Sequence, residues 1–120
     1  MVYNKNLQCI EKILKWTNKI RDVLHEFDIN SFRDFERDET CQLAISQLIT
    51  NVHELTKKIN KDIIDKMPIL AKSRVGLKNA RNISSHDYDS LDYKIVYDIV
   101  KDLISTKFKN ELEEMIDELK

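Results

Sequence analysis

One glycine and one proline, Gly76 and Pro68, are all that a chain of 120 residues spends on the two strongest breakers of regular structure. An all-β sandwich or barrel turns about every ten residues and needs turn formers at many of those places, so this chain is restricted to helices. Its length suits a single domain with a modest core. Hydrophobic residues make up 42% and charged residues 34%, a balance unlike that of disordered or membrane-embedded chains. No apolar run approaches the ~18 residues of a membrane span, and the opening MVYNKNLQCIEK lacks the form of a signal peptide, so a cytoplasmic protein is expected. Cys9 and Cys41 stand apart from each other and from metal-ligand spacing, and both are expected to be reduced core residues.

Hydrophobic periodicity divides the chain. Leu7, Ile10, Leu14, Thr17, Ile20, Leu24 and Phe27 follow at steps of three or four and predict a long amphipathic helix over 3–27. The pattern breaks at DINSF, where Asn30 or Ser31 can cap a short turn carrying Phe32 and Phe35. A second long helix is predicted from about Asp38, with Cys41, Ile45, Leu48, Val52, Leu55 and Ile59 as a seam for packing against another helix. After a tight connection over 61–67, Pro68 suits the first turn of a third helix reaching Arg81 or a little beyond, with Ile69, Leu70, Leu77 and Ala80 inward. SSHDYDS then interrupts the pattern with cap and turn formers. Leu91, Ile95, Ile99 and Leu103 predict a helix from about Ser90, and Phe108, Leu112, Met115 and Leu119 a last one. The sum is a bundle of four main helices plus short segments.

The net charge of −1 means that a polyanion must be met by a local patch. One segment qualifies: Lys72, Arg74, Lys78 and Arg81 occur with no acidic residue among them. Arg74, Lys78 and Arg81 at i, i+4 and i+7 share a helix face, and are candidates for holding an RNA backbone. Just beyond lies RNISSHDY, residues 81–88, which puts Arg81, Asn82, His86 and Tyr88 side by side. Such a set fits metal-independent phosphodiester cleavage. Histidine titrates near ~6.5 and can exchange protons at neutral pH. Arginine stays charged and forks onto phosphate oxygens, where negative charge builds in the transition state. On an unbroken helix Arg81 and His86 would diverge by about 140°, so their convergence within one chain asks for a break at the two serines. The plainer alternative is a polar helix end, with Arg81 favouring the helix C-terminus and Tyr88 a core-edge ring.

The string R-x-x-x-x-H-x-Y resembles the HepT-like branch of the HEPN ribonuclease superfamily, small all-helical toxins with Arg, four to six residues, then His, and a tyrosine two further on. FDINSFRDFERDETCQLAISQLI is similar to the family's aromatic segment leading into its second long helix, and Asp92 with IVYDIV is similar to the stretch after the motif. Two departures stand out. Ile49-Thr50-Asn51 occupies the place where members often carry Ile-Gly-Glu, and MPILAKSRVGLK lacks their Pro-Trp pair.

The resemblance implies a single HEPN domain over 1–120, a symmetric homodimer, and a composite cleft where the two motifs meet. It implies the toxin of a type VII-like toxin–antitoxin pair, an endoribonuclease leaving 2′,3′-cyclic phosphate. Arg81 and His86 would be catalytic and Asn82 would support the cleft. Tyr88 would accept AMP from a partner nucleotidyltransferase that neutralises the toxin. No cofactor or metal of its own is implied. The rivals are a non-catalytic subunit that binds such a nucleotidyltransferase and a plain helical interaction module. Among other residues, His25 and His53 are expected on helix surfaces, and Trp16, off the first helix's main stripe, on a core flank or contact surface.

Overall fold

The computed structural model describes residues 4–86 and 93–120, except for the side chains of 79–86. Among the described residues there are seven helices and no strand: α1 (Lys5–Glu26), α2 (Phe32–Arg37), α3 (Glu39–Thr56), α4 (Lys61–Asp65), α5 (Pro68–His86), α6 (Tyr93–Leu103) and α7 (Thr106–Leu119). Five of them run 11 residues or more, the expected last helix included, which starts afresh after Ile104–Ser105 with Ser105 capping Phe108 N–H. No helix among the described residues is long and apolar enough to cross a membrane.

Local chemistry sets the boundaries. The Asn4 side chain accepts from Leu7 N–H at the start of α1. Its end is a paired turn in which Ile29 N–H donates to Leu24 O and Asp28 N–H to His25 O. Such a turn needs a left-handed residue, and Asp28 supplies it at φ 57°, a conformation its short polar side chain tolerates without glycine. Ser31 caps α2, and Asp38 both closes α2 and caps α3 by accepting from Cys41 N–H at 2.9 Å. The buried Gln42 amide donates to the carbonyls of Phe35 and Glu36, satisfying the last turn of α2.

Helix α3 is the central element, packed on α1 on one side and α5 on another. Asn60, just past α3, donates its N–H to the Asn6 side chain near the start of α1, so those two helices run antiparallel. The expected seam of Cys41, Ile45, Leu48, Val52, Leu55 and Ile59 is buried throughout. A second buried stripe comprises Gln42, Ile49, His53 and Thr56. His53, expected on the surface, is only 4% exposed. A helix with neighbours on two sides buries a wider arc than one seam, and His53 falls inside it. Cys9 and Cys41 are buried free thiols. Burial, with the Asp38 carboxylate adding to it, pushes the Cys41 thiol up to about 11, so it stays protonated and unreactive near neutrality.

Two contacts position α5. At its start, where Pro68 and its neighbours leave backbone N–H groups without intrahelical partners, Glu111 of α7 accepts from Ile69 N–H at 2.9 Å and Leu70 N–H at 3.0 Å. Halfway along, Gly76 lets α6 come close: a Cβ there would stand 3.1 Å from Ile99 Cγ1 and 3.2 Å from its Cδ1. The chain's single glycine thus serves a helix crossing rather than a turn. Gly76→Ala is expected to leave stability within about 1 kcal/mol, since helix propensity offsets a small shift of Ile99. Gly76→Val, with a branched side chain in the same gap, should cost about 1–3 kcal/mol in urea unfolding. Equal stability of the two variants would show that α5 and α6 yield at this point.

Candidate functional site

Helix α5 carries the motif. It is continuous across Ser84 and Ser85 and described as far as His86, so the expected interruption at the two serines does not occur there. Serine in a helix interior costs only about half a kcal/mol relative to alanine, too little to end a helix that its packing holds. Arg81, Asn82 and His86 therefore lie on the last turns of one helix, with side chains outside the described residues, as is the whole of Tyr88.

The helix register still orders these positions. Positions 81 and 86 are separated by five residues, about 140° around the axis. Positions 82 and 86 are one turn apart on one face, in line with positions 75 and 79 at i, i+4, i+7 and i+11. Of the described side chains on this outward arc, Arg74 is half-buried at its edge, Lys78 is exposed, and Val75 is 67% exposed. Leu70, Ser73 and Leu77 form the buried side of α5. Arg74, half-buried, and Lys78, exposed, thus sit one to three turns before the motif.

An exposed valine on an otherwise polar face is the feature that reading the sequence for catalysis passed over. It does not stand alone. The exposed large apolar residues among the described ones are Leu43, Val75 and Ile95, one each on α3, α5 and α6, helices that pack in that order. An aromatic cluster joins α2 to α6: the buried Phe35 ring stands edge-on to Tyr93 at 6.5 Å and against Tyr97 at 5.7 Å. Lys94 Nζ lies 5.2 Å from the Phe32 ring centroid and 3.2 Å from the Asp98 carboxylate. This cluster anchors the start of α6, where the chain re-emerges after the motif segment.

The family model described as Ribonuclease HepT-like matches residues 7–119, which includes all of RNISSHDY. The chain belongs to the ribonuclease HepT-like family. Two proteins of Methanocaldococcus jannaschii are similar to this HepT-like chain along most of their length. "Putative RNase MJ1380" is 30% identical over 102 residues, covering 84% of this chain and 87% of that protein. "Putative RNase MJ0127" is 26% identical over 100 residues, covering 83% and 80%. No solved structure matches. The helical fold and the family resemblance drawn from the motif therefore agree.

Proposed function

We propose that this HepT-like protein is a metal-independent endoribonuclease acting as the toxin of a toxin–antitoxin pair, with its site at the interface of a homodimer. His86 is the general acid/base and Arg81 the clamp for the phosphate and its transition-state charge. Asn82, one turn before His86 on the same face, supports the cleft, while Arg74 and Lys78 hold flanking phosphates. The 2′-hydroxyl beside the scissile phosphate attacks phosphorus, the 5′-oxygen leaves with a proton, and a 2′,3′-cyclic phosphate remains. No metal is needed for that step.

The observation that carries the reading is the unbroken α5, with solvent-exposed Val75 on the same face as positions 82 and 86. An apolar side chain that open to water, with Leu43 and Ile95 on the flanking helices, supports coverage of this face by another surface. With about 140° between positions 81 and 86, a second copy of α5 about a two-fold axis is the economical way to bring arginine and histidine together. Two copies also double the local positive charge, which suits a chain of net charge −1 to an RNA substrate.

Tyr88 is the proposed acceptor of regulatory adenylylation by a partner nucleotidyltransferase in the cytoplasm. Its phenolic oxygen would attack the α-phosphorus of ATP, pyrophosphate would leave, and the phenol proton would pass to a base of the partner. The added phosphodiester, two residues from His86, would occupy the anion site and repel RNA.

The test is cleavage of a mixed RNA pool by partner-free, unmodified protein in EDTA, with analysis of the product ends. Cleavage leaving 2′,3′-cyclic phosphate is the expected outcome. A folded dimer that cuts nothing across the pool ends the nuclease reading and favours a non-catalytic subunit of the nucleotidyltransferase.

A further inference from the structure

Helix α1 has two edges of opposite character. Along the edge facing α3, Lys12, Lys15, Trp16 and Lys19 follow at i, i+3, i+4 and i+7, so three ammonium groups and the chain's one indole share a face. Beside them a cavity of about 330 Å³ opens between α1 and α3, lined by Lys12, Lys15, Trp16, Asn51, Glu54 and Leu55. Along the edge facing α7, the comparable cavity of about 400 Å³ is lined by Glu11, Glu113 and Asp117 around Leu14 and Ile116, with Lys120 as its one cation. The second groove repels a phosphate. The first attracts one.

The first groove also has what a base requires. Trp16 is half-buried, so its ring is fixed by packing yet keeps surface toward the groove, and Lys15 Nζ stands 5.4 Å from the ring centroid. Leu55 adds an apolar wall. Across from the indole, Asn51 and Glu54 present amide and carboxylate groups able to meet the polar edge of a base, with Glu54 held by Lys57 at 3.4 Å and Asn51 by Gln47 at 3.1 Å. The volume lies at the lower end of the ~300–1,000 Å³ of small-ligand pockets, enough for one flat ring. An aromatic platform beside a row of lysines is the general design for single-stranded nucleic acid, with stacking for the base and ammonium groups for the backbone.

We propose that this α1–α3 groove is an auxiliary docking site for single-stranded RNA, taking one base against Trp16 and its neighbouring phosphates on Lys12, Lys15 and Lys19. The choice of RNA as occupant rests on the ribonuclease reading above. The groove lies between α1 and α3, whereas Arg81 and His86 lie on α5. It therefore contacts RNA away from the cleavage motif and favours strands long enough to reach both places. A short substrate gains nothing from it.

Because Trp16 is the only tryptophan, its fluorescence reports this groove alone. A non-cleaving His86→Ala protein is titrated with a 12-nucleotide oligouridylate, and in parallel the anisotropy of the same oligonucleotide carrying a dye is followed. Saturable quenching of the indole that tracks the anisotropy, weakened by added salt, is expected. Lys12→Glu with Lys19→Glu, both exposed positions, should weaken binding at least tenfold and flatten its salt dependence. Trp16→Phe should retain more affinity than Trp16→Ala.

Anisotropy rising with no change in the indole would put RNA elsewhere and overturn the site while leaving the nuclease intact. Equal quenching by polyglutamate would make this a surface for an acidic protein, and would overturn the proposal as well. An absence of binding by both readouts sinks it too. If the wild-type protein fails to cleave while oligonucleotide still quenches Trp16, the nuclease reading falls and the binding site stands.

Discussion

Replacing His86 by alanine is expected to lower RNA cleavage in EDTA by about two to four orders of magnitude, the usual contribution of a positioned general acid/base. Arg81→Ala should cost at least as much, because an arginine on the scissile phosphate meets charge that is greatest in the transition state. Both losses should fall on kcat more than on KM. Circular dichroism and unfolding of both variants are compared with wild type, so that a loss of cleavage without a loss of fold is assigned to the chemistry. The two variants also test each other. After mild unfolding and refolding together, about half of the dimers are mixed, and each mixed dimer retains one Arg81 and one His86. Recovery of cleavage, at most about half of wild type, is the result that a site assembled across the two-fold axis requires. Mixed dimers that form and stay inactive would confine the working pair to one chain, against the α5 register.

How far the sequence announced this depended on who the neighbours of each residue are. Helices α1 and α3 were legible because a stripe at steps of three and four matches the helical repeat, and the core-facing residues of both are strongly apolar. The second buried stripe of α3 was not, because it is built from Gln42, His53 and Thr56 along with Ile49, residues that look polar until a second helix is known to lie against them. In α6, steps of four from Leu91 drift by about 40° each, so Ile95 emerges at 40% exposure while Val96 and Val100 take the core. The serines at 84 and 85 misled in the opposite way: their local preference is a fraction of a kcal/mol, and the packing of α5 against α3 and α6 outweighs it.

The candidate site divides along the same line. RNISSHDY is contiguous, and its chemistry shows in its letters. Val75 was left unassigned by the sequence reading, and in the structure it stands in solvent. Nor could the letters convey that Lys12, Lys15 and Trp16 line a groove with Asn51 and Leu55, whose separation in the sequence is more than thirty residues.

Val75→Glu provides the second large effect. At 67% exposure Val75 contributes little to the stability of its own chain, so a glutamate there should leave the unfolding midpoint within about 0.5 kcal/mol of wild type. Across a two-fold axis the same change acts twice, once on each copy, placing two carboxylates in a contact that had buried two isopropyl groups. Dimerisation should weaken by two orders of magnitude or more, about 3 kcal/mol, measured by sedimentation across a dilution series. Cleavage should fall with the dimer and recover as protein concentration rises, a dependence that direct damage to the site would not produce. Lys78 sits one turn nearer the motif and is also exposed, which gives a control of opposite sense. Lys78→Glu should weaken RNA binding and slightly flatten its salt dependence, and should leave the monomer–dimer balance closer to wild type than Val75→Glu does. If instead Val75→Glu stays dimeric and active at nanomolar concentration, the outward face of α5 is not where two copies meet. The composite cleft would then have to be sought on the faces of α3 or α6 that expose Leu43 and Ile95.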